Sequence, residues 1–217
     1  LVAGLDNFCW CDPVCSDKTP DGPYKMAQLV RSNQALYDVC MEYNLPLISG
    51  KDSMKNDFYD GSVKISIPPT LLFSVIGKIE DARRAVTMDV KRLGDIVYLL
   101  GKTCDELGGS EYLALKGAIG NKVPKVDAAH AYKRYQAYHK AVMASLVASC
   151  HDLSDGGLAV AAAESAFAGG FGLSLDLSKV LWKGDYAGRS DATLLFSESA
   201  SRHLVTVHPE QREAFET

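Results

Sequence analysis

No apolar run in the 217-residue chain approaches the ~18 residues that a membrane-spanning helix needs, and no basic-then-apolar leader opens it. The expectation is a chain with no membrane partner and a cytoplasmic location. A surplus of positive charge is also lacking. Lysine and arginine total 23 against 27 acids, a net charge of −4. That balance argues against nucleic acid as a partner, but leaves room for a local basic pocket around a phosphorylated small molecule. A disulfide framework is missing from the spacing. The six cysteines stand at 9, 11, 15, 40, 104 and 150, and without a secretory signal free thiols are expected. Cys9, Cys11 and Cys15 crowd together, yet no fourth ligand follows at a zinc-like distance. The five histidines, His130, His139, His151, His203 and His208, accompany no Ser or Cys nucleophile motif and form no H-x3-H pair, so no catalytic residue is assigned. Short repeats and low-complexity segments are lacking, as is an initiator methionine before Leu1. With a helix only opening at 210–217, the chain reads as a fragment of something longer.

What is present is ordinary for a globular protein: 47% hydrophobic and 23% charged residues. Residues 11–24, CDPVCSDKTPDGPY, predict a long surface loop. Met26, Leu29, Val30, Leu36, Val39, Cys40 and Met41 recur at helical steps, and Asn44 with Pro46 ends that helix. A short strand follows at 45–49, and Gly50 opens a polar loop. Strands are expected at 63–67, at 71–77 (a buried one) and at 96–101, with a short helix over 81–88. Beyond residue 102 glycine-rich turns dominate. There the pattern predicts a long helix over 127–149, a second over 157–168, and strands at 194–196 and 203–207. The chain therefore divides near residue 102 into two mixed α/β units, 1–101 and 102–217.

Two stretches concentrate polar chemistry. In ISGKDSM, Gly50 lets backbone N–H groups approach an anion, Lys51 adds a positive charge, Asp52 a possible metal ligand, and Ser53 a hydroxyl. The G-x-x-x-x-G-K-[ST] spacing is absent, and a plain surface turn accounts for the same residues. In HDLSDGGL, Asp152, Ser154 and Asp155 precede a Gly-Gly pair at a helix start, where free N–H groups and the helix dipole favour anions. Oxygen ligands of this kind suit magnesium with nucleotide phosphates, and a simple helix cap from Ser154 or Asp155 suits them equally. Asp6 and Asn7 in LDNF read as an Asx turn, and DELGGSEY as a helix cap.

In order, LDNFCW, ISGKDSM, DELGGSEY, HDLSDGGLAVA and LFSESASRHLVTV resemble the second half of the phosphoribosylformylglycinamidine synthase family, closest to its large type. The resemblance covers nearly the whole chain. It implies an α/β fold of the α+β type, with two mixed-sheet domains like the N- and C-terminal domains of aminoimidazole ribonucleotide synthetase. It implies an ATP-dependent carbon–nitrogen ligase of purine biosynthesis, acting on formylglycinamide ribonucleotide with ATP and Mg2+. Its partners would be the remaining synthetase half and a glutaminase domain or subunit. By the same resemblance Asp6 and Gly50 fall at nucleotide-contacting positions and Ser53 at a substrate-contacting one. Lys51 stands where small-type relatives carry a magnesium-binding asparagine, so a cationic phosphate contact is expected there. Asp152 matches a magnesium ligand, and Ser154 a contact to a second, structural nucleotide. Two alternatives stay open: another synthetase of the same superfamily, and a catalytically silent half that binds nucleotide only to hold the fold.

Overall fold

The computed structural model describes residues 1–217 apart from the side chain of Tyr186. The chain packs as two compact units, Leu1–Glu80 and Asp81–Thr217. Among the described residues no helix is long and apolar enough to cross a membrane.

In the first unit, β1 (Ala3–Cys9) leads through α1 (Gly22–Glu42) to β2 (Leu47–Ser53), which pairs with β1 in parallel. The hairpin of β3 (Asp57–Tyr59) and β4 (Lys64–Ser66) precedes β5 (Thr70–Ile76), antiparallel to β1 on its other side. The sheet order is β2-β1-β5. Pro23 suits the first turn of α1, where its missing N–H has no helical partner to lose. Phe8, Trp10 and Cys11 form the buried centre, with Leu29 and Leu36 of α1 packed against it. The Trp10 indole donates to the Lys25 carbonyl at 3.1 Å.

Side chains alternate across a strand, so Phe8, which packs toward α1, fixes the faces. Asp6, Gly50 and Phe73 share its face by register; Asn7, Lys51 and Leu72 share the other. β5 is not the buried strand that its apolar run predicts. Leu72 is 59% exposed, because only one face of this sheet is covered by α1.

The second unit carries a sheet of β6 (Ile96–Leu100), β10 (His203–Val207) and β8 (Ser149–Asp152), in the order β6-β10-β8, with both neighbours antiparallel to β10. Between them in the chain lie β7 (Thr103–Cys104), α2 (Glu111–Leu115), α3 (Ala128–Met143), α4 (Gly157–Gly169), β9 (Trp182–Lys183) and α5 (Asp191–Phe196); α6 (Arg212–Glu216) follows β10. One sheet face packs on α4 through Leu204, Leu158, Ala161 and Ala162. The other packs on α3 and α6 through Val205, Val207, Tyr138, Val142 and Phe215. A sheet covered on both faces explains why HLVTV carries so little polarity.

Several expectations change here. The sequence reading divides the chain near residue 102, whereas the compact units divide after Glu80, because β6 hydrogen-bonds to β10. Residues 194–196 are helical, not a strand: Ser190 caps the Thr193 N–H, and a short apolar run has no period of its own. The helix expected over 81–88 is a single 3-10 turn, Ala82–Arg84. Beyond it the Thr87 carbonyl is taken by the Cys150 N–H of β8 at 3.0 Å. The helix expected to reach 149 stops at Met143, and Ser149 opens β8.

Candidate functional site

The GKDS segment is not a loop. Gly50 to Ser53 form the second half of β2, with Asp6 opposite Gly50, Asn7 opposite Lys51 and Cys9 opposite Ser53. A strand rather than a phosphate-wrapping turn arises because Leu47 opens the pairing against Gly4, the register slips past Ile48, and the ladder then runs unbroken from Ser49 to Ser53. The Ser53 carbonyl is then held by the Trp10 N–H at 2.8 Å and the Asn56 amide at 3.0 Å. Glycine at 50 has a local cause. A methyl group built there would stand 2.7 Å from Asp6 Oδ1, so the missing side chain leaves the space in which the Asp6 carboxylate lies.

Alternation then separates the expected residues. Asp6 and Gly50 share the face toward α1, where burial and then the nearby Asp6 charge push the Cys40 thiol upward. Lys51 and Ser53 share the opposite face, and the Lys51 ammonium donates to the Ser53 hydroxyl. The first pair presents a carboxylate beside bare backbone; the second presents a cation and a hydroxyl, a set suited to an anionic oxygen.

The second constellation lies where β8 gives way to α4. Asp152 ends β8, and its carboxylate accepts from the Ser154 hydroxyl at 2.6 Å. That bond, with a smaller contribution from His151, holds the Asp152 carboxyl below its usual range against the opposing effect of burial. His151 Nδ1 stands 3.4 Å from Asp152 Oδ1, and its Nε2 stands 2.7 Å from Glu164 Oε2 on α4.

Gly156 and Gly157 both have positive φ, 76° and 62°. A methyl group on Gly157 would fall 2.5 Å from the Ser197 carbonyl. The helix start is therefore folded tightly against the segment 197–199, and Glu198 uses the contact. Its Oε1 accepts from the Gly156 N–H at 2.8 Å and from the Glu111 N–H at 3.0 Å.

The expected cap from Ser154 or Asp155 is not made, since Gly156 is the N-cap and has no side-chain cap bond. The chain's own Glu198 brings the negative charge to this helix end instead. Glu198 escapes sequence reasoning because its partners are 42 and 87 residues away. The one signal for it is the polar SES triplet set between two apolar runs. Arg202 fixes that triplet from beneath. It is almost wholly buried and donates to the carbonyls of Ser199 (2.9 Å) and Ser197 and to the Thr103 hydroxyl (2.9 Å). Burial draws its guanidinium down to about 10.

Asp152, Ser154, Asp155, Glu198 and His203 line a cavity of about 380 Å³. His203 Nδ1 is buried there without a hydrogen-bond partner, its ring stacked on Tyr138. Among the described residues no group of three or more His, Cys, Asp or Glu side chains is placed to hold a metal ion. Asp152 with Ser154 fits one corner of a magnesium–phosphate site, because magnesium takes one or two carboxylates and completes its shell from phosphate and water. A larger cleft in this unit, about 970 Å³ and lined by Lys102, Cys104, Arg134 and Lys183, holds none of the expected residues. The two constellations belong to different units.

Residues 92–217 match the family described as "AIR synthase related protein, C-terminal domain". Over 199 residues the chain is 40% identical to a phosphoribosylformylglycinamidine synthase subunit PurL of Alkaliphilus metalliredigens, covering 91% of this chain and 25% of that protein. The chain thus spans about a quarter of that relative's length. Among solved structures it resembles Thermotoga maritima PurL complexed with FGAR, with a TM-score of 0.66 at 18% identity over 99% of this chain and 32% of that one. It also resembles the same protein complexed with ATP, with a TM-score of 0.59 at 17% identity over 99% of this chain and 30% of that one. The mixed α/β architecture with its several small sheets and the match across more than half the length agree: the chain belongs to the AIR synthase-related family.

Proposed function

We propose that this chain is the second half of the synthetase region of a phosphoribosylformylglycinamidine synthase, a cytoplasmic ATP-dependent carbon–nitrogen ligase. The observation that carries this reading is the 40% identity over 91% of the chain to a protein of that name; the solved PurL complexes with FGAR and with ATP support it. In the proposed reaction the γ-phosphoryl group of ATP passes to the amide oxygen of formylglycinamide ribonucleotide. Ammonia released from glutamine then attacks the amide carbon, and phosphate leaves. Such chemistry depends on positioning and on donors arranged around the transferring group.

In this reading Asp6, in the space left by Gly50, orients the catalytic nucleotide. Ser53 donates its hydroxyl to the ribonucleotide, and Lys51 beside it neutralises phosphate charge. Asp152, with Ser154, contributes one corner of a magnesium-bound second nucleotide whose role is structural. Magnesium, when bound, neutralises phosphate charge and fixes the phosphate geometry. The partners are the remaining synthetase half, which completes both sites, and a glutaminase domain or subunit.

The test uses the complete synthetase with ammonia as nitrogen donor. Ser53→Ala is expected to lower kcat/KM for formylglycinamide ribonucleotide by roughly tenfold or more, the worth of one charge-assisted hydrogen bond. An unchanged kcat/KM would remove Ser53 from the substrate site, and absence of any ATP-dependent product from the unmutated protein would overturn the function itself.

A further inference from the structure

We infer that His151, held from behind by Glu164, is a positioning residue for the Asp152 carboxylate. The inference rests on Asp152 serving as a magnesium ligand, as proposed above. Asp152 sits at the end of a strand with its side chain 66% exposed, so it has rotamers to lose when a ligand arrives. Two contacts remove them in advance. The Ser154 hydroxyl donates to Oδ2 at 2.6 Å, and His151 Nδ1 faces Oδ1 at 3.4 Å. Each carboxylate oxygen thus has its own neighbour.

The imidazole cannot swing to release its side of this arrangement. Its side chain is only 18% exposed, and Nε2 lies 2.7 Å from Glu164 Oε2. Glu164 is carried by α4, whose Leu158, Ala161 and Ala162 are locked into the core against Leu204 of the sheet. The chain Glu164–His151–Asp152 therefore links a packed helix to an exposed carboxylate. Partners standing behind a metal ligand orient it and tune its affinity in this way. A reacting role for His151 does not suit the geometry, since both ring nitrogens already face carboxylates.

Two amide substitutions separate positioning from packing. The amide nitrogen of His151→Asn falls near the Nδ1 position and keeps the contact to Asp152 but not to Glu164. That of His151→Gln reaches the Nε2 position and keeps Glu164 but not Asp152. MgADP is titrated into the nucleotide-free complete synthetase, reading the site that Asp152→Ala removes. His151→Gln is expected to weaken MgADP about tenfold, and His151→Asn to stay within roughly threefold of the unmutated protein, by analogy with other outer-shell partners. A role in packing alone predicts no change in affinity for either.

Unchanged affinity in His151→Gln, or weaker binding in His151→Asn than in His151→Gln, would overturn the inference. If Asp152→Ala itself leaves every MgADP site intact, the reading of Asp152 fails, and the positioning inference with it. If Asp152→Ala removes a site that His151→Gln leaves at full strength, only the positioning inference fails. Should the His151 variants not fold, Glu164→Gln removes the charge behind the ring. It is expected to weaken MgADP about threefold, and no change would overturn the inference.

Discussion

Asp6 and Gly50 show how one residue's absence of a side chain determines another's position. The space above the Gly50 Cα is filled by the Asp6 carboxylate, with Oδ1 and Oδ2 at 2.7 and 3.1 Å from where a methyl group would stand. The carboxylate, being the end of a side chain, is the partner that yields. Gly50→Ala is therefore expected to move Asp6 rather than break the strand. In the complete synthetase the KM for ATP should rise roughly tenfold, the cost of one charge-assisted hydrogen bond, while the melting temperature changes little. An unchanged KM for ATP would show that Asp6 does not serve the nucleotide. Glu198 is the opposite case. Nothing beside it in the sequence announces that it meets a helix N-terminus 42 residues away. The placement is made rigid by buried Arg202 beneath the SES triplet together with the Ser197 and Ser199 hydroxyls, which bond to the Cys104 backbone.

The helix ends explain what was legible among the elements and what was not. α1, α3 and α4 close with one device, a left-handed residue followed by an N–H that reaches back to the carbonyl five residues before it. The residues with positive φ are Asn44, Ser145 and Gly170, and the back-bonds are Leu45 to Cys40, Leu146 to Ala141 and Phe171 to Ala166. Asn and Gly are common in that conformation and marked the ends of α1 and α4 in the sequence; Ser is not, so the helix over 127–149 ran past its stop. GKDS misled for a related reason. Its residues are those of a turn, but the pairing partner that makes it a strand, β1, lies more than 40 residues upstream, and composition carries no information about pairing. The candidate residues stood out through the motifs, whereas their division between two faces needed the register. Ser145→Gly is expected to stabilise the protein by about 0.5–1 kcal/mol, because Gly removes the left-handed penalty of ~1–2 kcal/mol and returns part of it as chain entropy. Urea unfolding of the two forms measures this, and a destabilised variant would mean that Ser145 holds its conformation by something other than the helix cap.

For the whole molecule, the division into two units places the two constellations in separate compact units, each with its own sheet and core, so they should fail separately. Asp152 stands at the junction of β8 and α4, beside the core of the second unit. Asp152→Asn keeps the shape of the side chain but removes the charge that a magnesium–nucleotide ligand needs. A ligand bound only to the folded state stabilises it by RT ln(1 + [L]/Kd), about 2.7 kcal/mol at a hundredfold excess over Kd. For a large domain ~1 kcal/mol moves the melting temperature by about 2–4 °C. Asp152→Asn in the complete synthetase should thus lower the melting temperature by several degrees in the presence of MgADP. Ammonia-dependent turnover at a temperature below the transition should stay near its original rate. Ser53 sits at the end of an edge strand, where a hydroxyl adds little to packing, so Ser53→Ala should show the reverse pattern, a preserved melting temperature with reduced turnover. Measuring both quantities on both variants decides the assignment. If Asp152→Asn abolished turnover at an unchanged melting temperature, Asp152 would belong to the reacting site, and the nucleotide it holds would be the one consumed.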